Sequence, residues 1–293
     1  MHNLKHIDIN TFEPKDYLHS VGQAMRNGKN NKNKDNYLKY ENILDSCFDD
    51  YTHKFSSRQL ESINATPNFS KSEALSIRNL YESGKNVQIF IWNELTRLNN
   101  NVKIMCPICG ENLAEELDHY IPREVHPEFS LHLLNLIPLC HRCNHLKLAH
   151  WLDGNNNREI FNAYLDHPTS NFIYSSSLNI VHGLPTINVS INYNNVKTTE
   201  DKLEVSTAKI LDLCSFYEEK ANQELQKRII MIQAAYSIEL PSYNNDKDVY
   251  WKAKCIFFNA CLSKPMNFKV SDILTLQSML DPSFGSWIKT IMV

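Results

Sequence analysis

Four cysteines between residues 106 and 147 have the spacing of a metal site. They form two Cys-x-x-Cys pairs, Cys106-Pro-Ile-Cys109 and Cys140-His-Arg-Cys143, about thirty residues apart. This is the spacing of a four-thiolate zinc site, in which each pair supplies two ligands. Four thiolates complete the tetrahedron and leave no position for water. We therefore expect a structural zinc that ties the two ends of this segment together.

A second set of residues has the types that hydrolytic chemistry needs. Asp118 and His119 are adjacent between the two cysteine pairs, Asn135 follows downstream, and Asn144 comes directly after the last cysteine. An acid, a histidine and two amides at these positions predict a divalent-metal hydrolytic site beside the zinc. Six of the twelve histidines lie between residues 119 and 150, which also favours a site built around metal and phosphate.

Short elements must position these residues. Residues 116–121 should form a strand, residues 137–139 should continue or pair with it, and a helix should begin at Arg142 or Cys143. On a regular strand the consecutive side chains of Asp118 and His119 would point to opposite faces. The two residues would then have different surroundings.

Four segments of this region resemble the motifs of a known family. In chain order they are Leu117-Asp-His-Tyr-Ile-Pro122, Pro127-Glu-Phe-Ser130, Asn135-Leu-Ile-Pro138 and Cys140-His-Arg-Cys143-Asn-His-Leu-Lys147. They are similar to HNH endonucleases of the zinc-containing ββα-metal type, over roughly fifty residues or about a sixth of the chain. The surrounding sequence also resembles, more weakly, the HNH effectors of bacterial anti-phage defence systems of the Septu-like kind.

The resemblance implies a role for each polar residue. Asp118 and Asn144 would bind the catalytic cation, and two oxygen ligands suit Mg²⁺ or Mn²⁺. His119 would be the general base that takes a proton from water, because histidine is largely neutral at cytoplasmic pH. Asn135 would fix the loop that carries His119 through backbone hydrogen bonds. Many members of the family have histidine where this chain has Asn144.

Two basic residues are candidates for phosphate clamps. Lys147 lies one helical turn after Asn144, and Arg123 follows the Asp118-His119 pair closely. The alternative for both is ordinary surface charge. The neighbouring His141 and His145 could favour softer ions such as Ni²⁺, so the identity of the catalytic metal stays open.

The charge balance argues against a protein that grips nucleic acid by itself. The net charge is −3, and residues 103–150 carry four Lys/Arg against six Asp/Glu. Phosphate neutralisation supplies much of the affinity of DNA-binding proteins, so this module alone should bind nucleic acid weakly. We therefore expect a protein partner, such as an ATPase or sensor subunit, that delivers the DNA substrate.

The remaining composition indicates a cytoplasmic protein. The first residues are polar, and no stretch approaches the roughly 18 apolar residues of a membrane span. Four further cysteines lie among apolar neighbours, and we interpret them as small buried side chains in a reducing compartment. They are Cys47, Cys214, Cys255 and Cys261.

The predicted fold class is α+β, a mainly helical protein with a central zinc-stapled ββα-metal (HNH) module and a small β extension. A helical N-terminal region spans residues 1–98 and contains a basic Asn/Lys-rich linker at 22–36. The nuclease module covers residues 99–155. The β extension follows at 156–200, and a helical C-terminal region occupies 201–293.

Periodicity and caps predict the elements in more detail. Helices are expected at 37–51, at 74–81 after a capping box at Ser70, and at 87–98. In the second half we expect three short strands, a helical stretch without proline or glycine, and two further helices. Their ranges are 172–174, 178–181, 186–193, 205–238, 249–262 and 271–280.

These features predict a metal-dependent HNH endonuclease that hydrolyses DNA phosphodiester bonds as the nuclease effector of a partnered anti-phage defence complex. The alternatives are a stand-alone restriction-type HNH endonuclease, and a non-catalytic zinc-knuckle protein that binds nucleic acid or serves as a scaffold. A zinc staple alone needs neither the Asp118-His119 pair nor the two asparagines, which favours the enzyme. An RNA substrate stays open, because nothing in the sequence reads a 2′-hydroxyl.

Overall fold

The computed structural model describes residues 14–25, 32–63, 67–82, 85–98, 103–167, 172–263 and 268–292. Within these residues the chain is mainly helical, and its strands form two antiparallel sheets of two strands each. The coarse prediction of an α+β protein is therefore confirmed. The chain forms two units, chiefly Asn3–Ile108 with Asn112–Pro168 and Thr169–Val293 with Cys109–Glu111. The finer division into four segments stays a prediction.

The first unit holds every residue of the predicted hydrolytic site. Its elements are α1 (Pro14–Ala24), α2 (Lys32–Ser56), α3 (Lys71–Tyr81), α4 (Lys85–Leu98), β1 (Glu116–His119), β2 (Leu136–Leu139) and α5 (His141–Lys147). Two 3₁₀ turns, Pro127–Phe129 and Leu133–Asn135, lie on the connection from β1 to β2.

The segment predicted as a basic linker, residues 22–36, is helical at both ends, so that prediction is wrong there. α1 extends to Ala24 and α2 begins at Lys32, while residues 26–31 lie outside the described residues. Lysine is a good helix former, so the composition of this segment is compatible with a helix. A tertiary contact between α1 and α2 favours the helical structure. The Tyr37 hydroxyl donates to Leu18 O (3.0 Å), and its ring lies so close to Gly22 that a Cβ there would overlap it.

The predicted capping box at the start of α3 is present. Ser70 Oγ accepts a hydrogen bond from Glu73 N (3.3 Å), and the Glu73 carboxylate accepts one from Ser70 N (3.0 Å). The two bonds satisfy N–H groups that a helix start leaves without partners. They fix the beginning of α3, whose last turn contributes to the candidate site.

β1, β2 and α5 form a hairpin followed by a short helix. The two strands are antiparallel, with Asp118 opposite Ile137 and His119 opposite Leu136. β2 is buried along its whole length, which explains its run of apolar residues. α5 begins at His141, a residue or two earlier than expected, and ends before Leu148, which has a positive φ of 49°.

The second unit contains a β-hairpin and five α-helices among the described residues. They are β3 (Tyr174–Val181), β4 (Leu184–Ile191), α6 (Thr199–Ile210), α7 (Leu213–Glu239), α8 (Lys247–Ser263), α9 (Val270–Met279) and α10 (Pro282–Ile291). The strands expected at 172–174 and 178–181 are one strand that runs through a serine triplet. Cross-strand pairing overrides the low strand propensity there, and the Ser175 and Ser190 hydroxyls meet at 3.1 Å.

The helical stretch expected at 205–238 is divided into α6 and α7. Asp212 adopts a left-handed conformation (φ 46°, ψ 50°) between them, and aspartate tolerates this conformation better than most residues. Because neither proline nor glycine marks the break, the pattern of residues gave no sign of it. In the part of the chain that the structure describes, no helix has the length and apolar character to cross a membrane.

Candidate functional site

The four cysteines lie together, as their spacing predicts. Every pair of their Sγ atoms lies within 4.8 Å, and all four residues are buried; this cysteine cluster is Cys106, Cys109, Cys140 and Cys143. The first loop is closed by a hydrogen bond from Cys106 N to Asn112 O (2.8 Å). Asn112 Nδ2 also donates to Cys140 Sγ (3.9 Å). Four thiol groups in this arrangement can hold a metal ion such as zinc.

Asp118 is paired with a buried lysine. Lys147, at the end of α5, is 1% exposed, and its Nζ lies 2.7 Å from Asp118 Oδ2. The same ammonium donates to the backbone carbonyl of His119 (3.0 Å). Burial raises the pKa of the Asp118 carboxyl, and the lysine charge offsets part of that rise. The position differs from the expected phosphate clamp, since this lysine would have to leave Asp118 before it could bind a phosphate.

His119 is held in a defined orientation. Its Nε2 lies 2.9 Å from the Ser130 carbonyl oxygen, and its ring meets the Tyr81 ring edge-on at 4.7 Å. A carbonyl oxygen only accepts, so Nε2 carries the proton and Nδ1 keeps its lone pair. Burial lowers the pKa of His119 to about 3, and nearby positive charges, Arg123 first among them, act in the same direction. The ring is therefore neutral at neutral pH.

Asn135 fixes the turn that follows β1. Its side chain is fully buried, and Oδ1 accepts from Ile121 N (2.8 Å). Nδ2 donates to Ile121 O and to Phe129 O, both at 3.2 Å. Phe129 directly precedes Ser130, whose carbonyl binds the His119 ring. Asn135 thus connects the chain after His119 to the chain that orients its side chain.

Asn144 contacts the carboxylate of Glu116, which is not among the predicted site residues. Its Nδ2 donates to Glu116 Oε2, while His141 Nδ1 lies 2.7 Å from Glu116 Oε1. Both hydrogen bonds lower the pKa of Glu116, and the bond from Asn144 has the larger effect. Glu116 stands two residues before Asp118 on β1, so both side chains are on the same face. The period of two along this strand was the signal that could have identified it.

Two further side chains come from α3, about forty residues before Asp118 in the sequence. Tyr81 packs on His119, and Arg78 makes an ion pair with Glu124 (3.0 Å). Arg123 pairs with Glu82 (2.9 Å) and keeps its side chain 24% exposed. No local pattern of residues places α3 here, because only the tertiary fold brings it to His119.

Comparison with known proteins adds little to this geometry. No protein-family model matches the chain, and no solved structure matches it. Protein ea31 of Escherichia phage lambda is 42% identical to the chain over 40 residues, which are 13% of this chain and 14% of that protein. The chain therefore matches about a seventh of the length of that protein, which does not establish a family.

The donor atoms of the two clusters suit different ions. Thiols are soft ligands that select zinc, whereas the carboxylate of Asp118 and the amide oxygen of Asn144 are hard ligands that suit Mg²⁺ or Mn²⁺. The Lys147 ammonium occupies the position beside the Asp118 carboxylate, so a cation would have to displace it. We refer to Asp118, His119, Asn135 and Lys147 as the acid–histidine cluster; the side chain of Asn144 contacts Glu116.

Proposed function

We propose that the chain is a metal-dependent HNH endonuclease that hydrolyses DNA phosphodiester bonds. The observation that carries the proposal is the β1–β2 hairpin followed by α5, in which one α5 side chain binds both residues of the Asp118-His119 pair. This order of elements fits the ββα-metal resemblance of the sequence. The four-cysteine cluster next to it would hold a structural zinc, because four thiolates leave no position for water or substrate.

The reaction assigns a separate task to each side chain. A divalent cation, Mg²⁺ or Mn²⁺, would stabilise the charge that develops on the phosphate and on the leaving 3′ oxygen. Asp118 and Asn144 would hold this cation through oxygen atoms, and the hydrogen bond of Asn144 Nδ2 to Glu116 keeps its amide oriented. Hydrolysis would leave 5′-phosphate and 3′-hydroxyl ends.

His119 would accept the proton of the attacking water at Nδ1, since Nε2 is already committed to Ser130 O. The Ser130 carbonyl would then stabilise the imidazolium that forms. Asn135 would act as a positioning residue, because it holds Phe129 and Ile121 and so limits rotation of the His119 ring. Arg123 would need to exchange Glu82 for a phosphate oxygen in order to bind the substrate.

The experiment that tests the enzyme is plasmid cleavage by the purified chain with Mg²⁺, Mn²⁺ or EDTA. We expect metal-dependent nicking or linearisation that His119→Ala abolishes while the fold and the zinc content stay intact. His150→Ala is the matched control, because His150 is half exposed and contacts Glu159. Cleavage near the wild-type rate in His119→Ala would remove His119 as the base.

The proposal includes a protein partner and a role as effector of an anti-phage defence complex. The net charge of −3 supports a partner, as do the basic residues around His119, which are all paired with carboxylates: Lys147 with Asp118, Arg123 with Glu82 and Arg78 with Glu124. Phosphate binding must compete with these pairs. Cleavage of DNA at defined sites by the purified chain alone would favour a stand-alone restriction-type enzyme instead.

A zinc-knuckle protein without catalytic activity is the second candidate. The observation in its favour is the burial of His119, which is 9% exposed and covered by Tyr81. Such a protein should contain zinc alone, and its binding to nucleic acid should not respond to Mg²⁺ or Mn²⁺. Metal analysis and a binding titration with and without Mn²⁺ separate the two candidates.

A further inference from the structure

Two cavities lie along the solvent-facing side of α4, and the larger of them reaches Asn144. The larger has a volume of about 570 Å³. Its walls include α4, the beginning of β1 with the residue before it (115–117), and Asn144. The smaller, about 310 Å³, reaches Lys103. Trp92 and Glu115 line both cavities, which therefore adjoin at these two residues, and we refer to the two together as the groove. A volume of this size is typical of pockets for small organic groups.

The walls of the larger cavity suit a flat, uncharged group. Trp92 is partly exposed, Ile89 is 45% exposed, and the amides of Gln88 and Asn93 face solvent on the same side of α4. Among the described residues that line it there is neither lysine nor arginine, whereas Glu115 and Glu116 are both acidic. A phosphate would be repelled there. A nucleobase would instead stack on the indole, and its amino group could donate to a carboxylate.

We propose that the larger cavity binds one unpaired nucleobase of the substrate strand, next to the phosphate that is cleaved. The inference rests on the proposed endonuclease function, because Asn144 lines the cavity and is a proposed ligand of the catalytic cation. A base held by Watson–Crick pairing inside a duplex cannot present its faces to Trp92. The substrate would therefore be single-stranded, or a duplex with a bulged or displaced nucleotide.

The test is a binding titration of the full-length His119→Ala protein in the presence of Mn²⁺. The probes are a fluorescently labelled single-stranded DNA oligonucleotide and the blunt duplex of the same sequence. We expect the single strand to bind more tightly, and Trp92→Ala to weaken its binding on the order of tenfold, the usual loss when one aromatic platform is removed. Trp92→Phe keeps an aromatic face and should retain most of the affinity.

Unfolding of the variant is controlled separately. Zinc content and the thermal transition of Trp92→Ala should match those of the parent. If they do not, Ile89→Ala gives the same comparison with a smaller expected loss of affinity. Equal binding of duplex and single strand, or unchanged affinity in Trp92→Ala, would overturn the inference. Absence of binding to any oligonucleotide would also overturn it and would leave the groove to a protein segment.

Failure of this inference is distinguishable from failure of the proposed function. Wild-type plasmid cleavage that depends on His119, together with unchanged binding in Trp92→Ala, would reject the nucleobase site alone. Absence of cleavage by any preparation, with oligonucleotide binding that depends on Trp92, would reject the endonuclease and leave a binding protein for single strands.

Discussion

The cysteine cluster and the acid–histidine cluster are close in sequence, yet they balance their charges in different ways. The four thiols lie within 4.8 Å of one another, so their thiolate forms would repel strongly unless a cation neutralised them. In the acid–histidine cluster the Lys147 ammonium already neutralises Asp118 at 2.7 Å. A metal ion at the first cluster would therefore stabilise the fold, whereas the Asp118 carboxylate of the second already has a counter-ion.

The two clusters should therefore differ in how strongly they bind a metal ion. A structural zinc contributes its binding free energy to folding, because the ligands are assembled only in the folded chain. A cation at Asp118 would have to compete with an internal lysine and so would bind more weakly. If the proposed sites are both occupied, we accordingly expect mild EDTA treatment to remove Mg²⁺ or Mn²⁺ from Asp118 while the protein stays folded and retains zinc at the cysteines.

The largest expected effect is the loss of the structural metal. Cys143→Ser should abolish stoichiometric zinc and lower the free energy of unfolding by at least about 4 kcal/mol, the range in which loss of a metal site falls. Zinc analysis and thermal unfolding measure both. Cys261→Ser is the matched control, since Cys261 is partly buried and lies outside the cluster. Equal effects of the two substitutions, or zinc retained in Cys143→Ser, would contradict the assignment.

A smaller effect should follow from breaking the buried ion pair. Lys147→Met leaves the Asp118 carboxylate without its counter-ion and should cost about 3 kcal/mol in urea unfolding. Asp118→Asn combined with Lys147→Met should recover most of this loss, because no uncompensated charge remains. Added Mn²⁺ should stabilise Lys147→Met more than wild type, since the competing ammonium is gone. Lys227→Met is the control, because the Lys227 side chain is 71% exposed and its pair with Glu224 should contribute little.

If Asp118 and Lys147 showed no energetic coupling, the contrast between the acid–histidine cluster and the cysteine cluster would not hold. If the double variant were as unstable as Lys147→Met alone, the lysine would act through its aliphatic packing and not through its charge. The two clusters would then differ in their ligands but not in how they are neutralised.

The two clusters also differ in how much of their structure could be predicted from the sequence. The cysteine cluster was predictable because metal geometry fixes the spacing of its ligands, and the hairpin strands and the α3 capping box follow from local patterns. The burial of Lys147 was not predictable, because lysine is usually exposed and its burial here depends on how α5 packs on β1. The contacts of Arg78 and Tyr81 near His119 come from α3, and no local sequence pattern predicts them.

The errors outside the site have a similar origin. The helical ends of the supposed linker depend on Tyr37 closing over Gly22, which is a contact between two helices. The continuous β3 strand depends on pairing with β4, and the division between α6 and α7 depends on a single left-handed aspartate. In each case the local composition was compatible with two structures, and packing selected one of them.

The smallest expected effect concerns the pH dependence of stability near the acid–histidine cluster. His132 is fully buried between the rings of Phe48 (4.5 Å) and Tyr51 (4.2 Å), and burial lowers its pKa to about 3. The unfolded chain binds a proton at this residue below about pH 6.5, whereas the folded chain does not until about pH 3. The free energy of unfolding should therefore fall as the pH drops from 7 to 5, by about 2 kcal/mol for this histidine.

His132→Gln removes that term, so its stability should depend less on pH than that of the wild type over the same interval. Acid also weakens zinc binding by protonating thiolates, but this contribution is common to both proteins and cancels in the difference. His150→Gln, at an exposed position, should follow the wild-type curve. Parallel curves for wild type and His132→Gln in urea unfolding at pH 7, 6 and 5 would show that the acid sensitivity arises elsewhere, at the cysteine cluster or at His119, whose pKa burial lowers in the same way.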